Sequence, residues 1–221
     1  LMLNIYIGLK NWEKIIELGK KGLKWDLPPE QKKQLRSATA LAYRQLRYAT
    51  ALAYEKLGHP EKALPLWRKL AADIDLPKKQ RSYALYFLAQ DALVQGDLEN
   101  VYVFAQEALS IFLETKEEVE KIKSCLELLI QVTEKTGRKK EALGWALELG
   151  TYIKESDPDW PAFEYQLAKL YKINGDTATW KKILTELINK KPDSLFSKMA
   201  KSDLNSIPLL KEASKYLNGG K

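Results

Sequence analysis

A short glycine turn recurs four times along this sequence of 221 residues. Gly58, Gly96, Gly137 and Gly175 each have apolar residues at helical spacing on both sides, so each unit reads as helix, turn, helix. Successive glycines are 38, 41 and 38 residues apart. A near-constant period of this size is typical of an array of stacked helix pairs, and such arrays offer extended binding surfaces.

The composition fits an all-α chain that buries a continuous core. Hydrophobic residues make up 45% of the sequence and charged residues 29%, which is too charged for a membrane protein and too apolar for a disordered one. No stretch reaches the length that crosses a bilayer, so we expect a soluble protein. The single cysteine, Cys125, allows no intrachain disulfide and leaves the compartment, cytoplasmic or cell-envelope, open.

The net charge of +7 and the pI of about 9.2 make nucleic-acid binding one function to consider. The lysines mostly alternate with glutamates along helices, as they do from Lys116 to Lys123. Such mixed charge is typical of solvated helix surface, and this interpretation is favoured over a nucleic-acid footprint.

An eleven-residue tandem copy lengthens one predicted helix. The segment Gln34–Tyr43 is followed by the similar segment Gln45–Tyr54. Eleven residues make about three helical turns, so the insertion should lengthen the helix Pro29–Leu57 by roughly 16 Å and keep the same face toward the core. The extra segment should pack on the region Leu1–Trp25 or on another copy of the chain.

Residues before the first glycine turn suggest a partial unit. Lys10 stands where the other units have glycine once the eleven inserted residues are discounted, and Asn11 can cap the next helix. Gly19 and Gly22 lie inside that helix, where they indicate close packing against a neighbour. The apolar run Leu1–Leu9 resembles the tail of a helix, so we expect a fragment or part of a longer protein.

The chain ends in two predicted short helices, Ser194–Lys201 and Ile207–Leu217. They follow the last repeat and would cover its apolar side, as terminal caps do in helical arrays. The predicted organisation is therefore a repeat array over residues 1–192 and a capping region with a tail over residues 193–221.

When the units are aligned on their glycines, the same positions hold small or apolar residues. These are Ala51, Ala89, Ile130 and Ala168 seven residues before the glycine, and Ala63, Val101, Ala142 and Trp180 five residues after it. Together with Tyr54, Trp67 and Leu70 in the best-matching unit, this pattern resembles the tetratricopeptide repeat (TPR) family. The resemblance implies a right-handed α-solenoid of antiparallel helix pairs, with about four full repeats, a partial N-terminal one and a C-terminal helical cap.

In the TPR family the first helix of each repeat lines a concave groove. Positions ten, six and three before the glycine share one helical face here, and Tyr83 lies on that face one turn earlier. Tyrosines beside glutamine and lysine suit recognition of a peptide, because a rigid ring gives contact area and its hydroxyl gives direction. The alternative is that they are ordinary half-buried tyrosines of an alanine-rich array. The candidate partner-binding residues are Tyr48, Tyr83, Tyr86, Gln90, Gln131, Tyr165, Lys169 and Lys172.

The sequence offers little that could support catalysis or hold a cofactor. His59, the only histidine, lies in a turn before Pro60, and Cys125 lies on a helix without a nearby histidine. There is no phosphate-binding glycine loop and no histidine–cysteine cluster, so we expect no cofactor, no metal site and no enzymatic activity.

Three functions remain open. The first is a scaffold that binds a protein or peptide in its groove, within a larger cell-envelope or multiprotein-complex protein; this rests on family analogy. The second is nucleic-acid binding through basic surface, which Glu55, Glu127 and Glu134 on the groove face disfavour. The third is a regulatory or dimerisation module of a larger enzyme, which would self-associate through the N-terminal helices.

Overall fold

The structure is a computed structural model that describes the backbone of residues 2–116 and 119–218 and the side chains of residues 4–116 and 119–206. Within this part of the chain every regular element is an α-helix and there is no strand, which confirms the all-α prediction. The helices are α1 (Met2–Gly8), α2 (Trp12–Gly22), α3 (Pro29–Lys56), α4 (Pro60–Ala71), α5 (Lys78–Gln95), α6 (Leu98–Thr115), α7 (Val119–Lys135), α8 (Lys139–Gly150), α9 (Trp160–Ile173), α10 (Thr177–Lys190) and α11 (Leu195–Asn218).

The helices form two compact units. The N-terminal unit contains α1 to α6 and the C-terminal unit contains α7 to α11. Within each unit, helices that follow one another in sequence pack side by side, as in a stacked array. The division into an array over residues 1–192 and a cap over residues 193–221 stays a prediction.

The predicted glycine turns all have the same geometry. The four glycines adopt φ between +72° and +91°, a conformation that glycine reaches without the steric cost of a side chain. In each turn the residue after the glycine donates its backbone N–H to the carbonyl five residues earlier, at 2.8 to 3.0 Å, which closes the first helix in a Schellman motif.

The positions aligned on these glycines are the core of the helix pairs. The eight residues that stand seven positions before and five positions after the turn glycines are all buried. They include Ile130 and Trp180, which replace smaller side chains. Burial of matched positions in every repeat lets the two helices of each pair approach each other closely.

Lys10 has the conformation of the glycines that it replaces. Its φ is +51°, and Asn11 donates its backbone N–H to the carbonyl of Tyr6, so the turn between α1 and α2 repeats the Schellman motif. Asn11 also caps α2 by accepting a hydrogen bond from the N–H of Lys14 at 3.2 Å, as predicted. A lysine in this left-handed region carries backbone strain of about 1 kcal/mol.

Replacing Lys10 with glycine should therefore raise the free energy of unfolding by about 1 kcal/mol. The measurement is urea unfolding followed by circular dichroism. Lys20→Gly, which changes an exposed lysine inside α2, is the matched control and should lower stability by about 1 kcal/mol. Equal effects of the two substitutions would contradict the prediction.

The close approach predicted at Gly19 and Gly22 is confirmed. A Cβ atom on Gly19 would lie 1.9 Å from Oγ1 of Thr39, and one on Gly22 would lie 2.6 Å from Cδ2 of Leu35. The partner in both cases is the first copy of the duplicated segment in α3, which therefore packs on α2 as predicted.

The prediction that both copies turn the same face to the core is wrong. The first copy buries Leu35, Ala38, Thr39 and Ala42 against α2, whereas the fully buried residue of the second copy is Ala51, on the α4 side. The two copies differ in burial because α2 packs beside the first copy and α4 packs beside the second. The loop from α2 to α3 is as long as the loop from α4 to α5, six residues in each case, so α2 stays beside the start of the lengthened helix.

The C-terminal region is one helix, so the prediction of two short helices is wrong. The backbone is helical from Leu195 to Asn218. An apolar stripe of Phe196, Ala200 and Leu204 continues across the predicted break and packs on the cluster formed by α9 and α10. This spacing of four residues keeps one face buried and favours a continuous helix.

Candidate functional site

The repeated Schellman motif gives every first helix the same register relative to its turn. In all four units the glycine N–H is donated to the carbonyl three residues earlier, which belongs to Glu55, Leu93, Glu134 or Lys172. Positions ten, six and three before each glycine are therefore equivalent, and they lie on one face of α3, α5, α7 and α9.

In the N-terminal unit the tyrosines of this face belong to a network of rings. The Tyr48 ring centre lies 5.7 Å from that of Trp67 and 6.3 Å from that of Tyr83, in edge-on geometry. Tyr83 in turn lies 5.4 Å from Phe112. Such contacts hold the rings in fixed positions, so these half-buried tyrosines belong to the layer of side chains just beneath the exposed surface of this face.

Tyr86 and Gln90 form a linked pair on α5. Tyr86 is only 6% exposed, and its ring lies 5.3 Å from that of Phe87. Gln90 is exposed and donates a hydrogen bond from Nε2 to the Tyr86 hydroxyl oxygen at 2.8 Å. The tyrosine therefore orients the glutamine, and the glutamine is the exposed member of the pair.

A cleft of about 380 Å³ opens next to Gln90, between α3, α4 and α5. Its apolar wall is formed by Leu64, Phe87 and Val94, and Val94 is 82% exposed. Phe87 is held in place because its ring stacks on the buried Trp67, with the ring centres 4.8 Å apart. The complete lining is Glu55, Pro60, Glu61, Leu64, Phe87, Gln90, Asp91, Val94 and Gln95.

Three carboxylates lie in this cleft. Oε1 of Glu55 accepts a hydrogen bond from the indole N–H of Trp67 at 2.9 Å, while its second oxygen has no partner among the described residues. Asp91 pairs with the exposed Arg68 at 3.6 Å, and Glu61 lies 3.2 Å from Nδ1 of His59. The cleft therefore combines an apolar wall with negative charge.

In the C-terminal unit three of the predicted residues lie together on α9. Tyr165 donates its hydroxyl hydrogen to Oδ2 of Asp203 on α11 at 2.9 Å, and burial raises the pKa of this phenol. Nζ of Lys169 lies 5.9 Å from the centre of the Tyr165 ring, and Nζ of Lys172 lies 4.2 Å from that of Trp180. Both lysines are exposed, and so is Gln131 on α7.

Cys125 packs in the core, as the sequence indicated. It is fully buried on α7, and this burial raises the pKa of its thiol to about 12, so the reactive thiolate is scarce at neutral pH. His59 lies in the exposed turn before α4. Across the described residues, no three histidine, cysteine, aspartate or glutamate side chains are grouped so that they could hold a metal ion.

Two residues of the predicted groove face, Glu55 and Gln90, line the cleft, and the rest of its lining was not predicted from the sequence. Pro60, Glu61 and Leu64 come from the start of a second helix, and Phe87 and Asp91 come from the side of a first helix. The one sequence signal was Val94, an apolar residue two positions before a turn glycine, where solvent exposure is expected.

Comparisons with known proteins find likeness in structure alone. No protein-family model matches the chain, and no curated protein sequence matches it.

In the part of the chain that is described, no helix is long and apolar enough to cross a membrane.

Solved structures with TPR-like repeats share the fold of this chain. The crystal structure of the nearly identical TPR-like repeats of a kinesin light chain-type protein from Podosopora anserina is 14% identical, covers 79% of this chain and 93% of its own, and gives a TM-score of 0.55. A second crystal structure, of a variant of the same repeats, gives the same TM-score and identity. The Rap conjugation gene regulator of plasmid pLS20, in complex with the Phr* peptide, is 16% identical over 98% of this chain and 64% of its own, with a TM-score of 0.43. The repeated helix pairs and the first two matches agree: this chain has a TPR-like helical repeat fold.

Proposed function

We propose that this protein is a non-catalytic scaffold that binds a peptide or protein partner on the face of its first helices. The observation that carries the proposal is the cleft between α3, α4 and α5, which is open, has an apolar wall and includes Gln90 from the predicted face. A preformed cleft with a few fixed polar groups is the usual form of a site for a side chain or small ligand.

The charge of the cleft indicates which partner it would take. Lysine and arginine carry a cation on an aliphatic stem, so one side chain could satisfy the carboxylates and cover Phe87 and Leu64. The favoured partner is therefore an extended segment with a basic side chain next to apolar ones.

The test is a selection of displayed peptides on the full chain, followed by affinity measurements. We expect the selected peptides to contain lysine or arginine and to bind at least about tenfold more weakly to Glu55→Gln/Glu61→Gln, because charge-assisted hydrogen bonds are lost. Glutamine at position 55 can still accept the Trp67 hydrogen bond, so the core should be unaffected. Glu13→Gln/Glu30→Gln, with the same change of charge on exposed residues outside the cleft, is the control and should bind like the wild type.

Two results would count against this function. Peptides that bind both double variants equally well would place binding outside the cleft. Failure to select any peptide, combined with strongly salt-dependent binding of labelled nucleic acid, would favour the nucleic-acid alternative. In that case Lys169→Glu/Lys172→Glu should weaken nucleic-acid binding more than Lys181→Glu/Lys182→Glu on α10.

A further inference from the structure

The two copies of the duplicated segment carry the same helix-packing residues, and those of the first copy pack against α2. In the first copy, Thr39 lies against Gly19 of α2 and Leu35 lies against Gly22. Ala38 and Ala42 share a buried cluster with the isoleucine pair of α2, Ile15 and Ile16. These four residues of α3 form the seat on which α2 lies.

The second copy repeats this seat eleven residues later. Its corresponding residues are Leu46, Ala49, Thr50 and Ala53, and Leu57 continues the same face by one more turn. The threonines even have matching conformations: Oγ1 of Thr50 donates to the Leu46 carbonyl at 2.8 Å, as Oγ1 of Thr39 donates to the Leu35 carbonyl at 2.7 Å.

This second seat is open to solvent. Leu46 is 37% exposed and Leu57 is 69% exposed, and Ala49 and Ala53 are exposed as well. The stripe spans about three helical turns, or roughly 16 Å. It faces away from the cleft described above, since Ala53 and Glu55 are two positions apart and point to opposite sides of α3.

The α2 helix of the same molecule cannot reach the second seat. If Gly22 moved to the level of Leu46, the loop to Pro29 would have to cover roughly 25 Å along α3 and about 9 Å across to it. Together these make a distance of about 27 Å, whereas the seven Cα–Cα steps from Gly22 to Pro29 extend to at most about 25 Å. The α2 helix of a second copy is also excluded, because its glycine face is already buried on its own α3.

We propose that the stripe Leu46–Leu57 is a second seat that binds one helix of a partner protein, and that this helix resembles α2. The partner helix would bring two small residues three positions apart, opposite Thr50 and Leu46, and a pair of branched apolar residues over Ala49 and Ala53. Small residues are required because the seat of the first copy leaves no room for a Cβ atom at Gly19 or Gly22.

The test uses a synthetic, capped peptide with the α2 sequence Asn11–Trp25 as probe. It is titrated to millimolar concentration into the full chain with labelled alanine methyl groups, and binding is followed by NMR. We expect the methyl signals of Ala49 and Ala53 to shift while those of Ala38 and Ala42 stay. Ala49→Glu/Ala53→Glu should weaken binding at least about tenfold, whereas Gln34→Glu/Ser37→Glu, which adds the same charge at exposed sites of the first copy, should not.

A second peptide separates helix formation from close packing. In this peptide both glycines are alanine, which makes it more helical. It should nevertheless bind at least about tenfold more weakly, because its methyl groups prevent the close approach. Stronger binding of the alanine peptide, shifts confined to Ala38 and Ala42, or no shift at all would overturn the proposal. None of these results would contradict the proposal that the cleft between α3, α4 and α5 binds a peptide.

Discussion

Replacing Trp67 with alanine should lower the free energy of unfolding of the N-terminal unit by about 4 kcal/mol, the typical cost of truncating a buried tryptophan. Trp67 is fully buried, stacks on Phe87 and meets Tyr48 edge-on. Its indole N–H also donates a hydrogen bond to Glu55. The substitution thus removes packing from three helices at once. Urea unfolding followed by circular dichroism and tryptophan fluorescence measures the loss.

Trp25→Ala is the matched control because Trp25 is 54% exposed. It should cost less than about 1 kcal/mol, in keeping with an exposed position. Trp67→Phe should fall between the two, since it keeps most of the packing but leaves Glu55 without its donor. A loss below about 1.5 kcal/mol for Trp67→Ala would show that this ring is not the centre of the core.

Replacing Gly19 with alanine should cost about 2 kcal/mol or more, although alanine is the better helix former. The new Cβ would overlap Oγ1 of Thr39, a buried side chain whose hydroxyl is bonded to the Leu35 carbonyl. Either α2 moves away from α3 or Thr39 leaves its rotamer, and both changes cost stability. The measurement is the shift of the urea midpoint.

Gly144→Ala is the control for this substitution. Gly144 lies inside α8, and a Cβ there would meet nothing within 4 Å, so alanine should raise stability by up to about 1 kcal/mol. Thr39→Ala combined with Gly19→Ala should recover part of the loss, as a double-mutant cycle would reveal. The prediction is wrong if Gly19→Ala stabilises the chain as Gly144→Ala does.

Features that depend on local geometry were predictable from the sequence. The glycine turns, the helix pairs and the strained Lys10 follow from backbone conformation and period alone. The close approach at Gly19 was predictable too, because an interior glycine in a helix needs a reason. The continuous α11 was missed because its polar stretch near Asp203 and Leu204 stays helical through tertiary contacts with α9 and α10, which no local pattern shows.

The candidate site could be predicted only in part. Helical periodicity places Glu55 and Gln90 on corresponding faces of α3 and α5, but it does not tell how deep the neighbouring rings and carboxylates lie. The burial of Tyr86, the stacking of Phe87 on Trp67 and the contribution of Leu64 from α4 depend on how three helices meet. That arrangement is tertiary, and no local pattern encodes it.

The lengthened α3 interrupts the periodicity of the N-terminal unit. Because α2 lies beside the first copy and α4 beside the second, the pair α1–α2 is displaced along α3 by about three turns, or roughly 16 Å. A ligand that follows successive repeats at a constant pitch would lose phase at this step. The duplication therefore acts as a dislocation, which confines such a ligand to the repeats on one side of it.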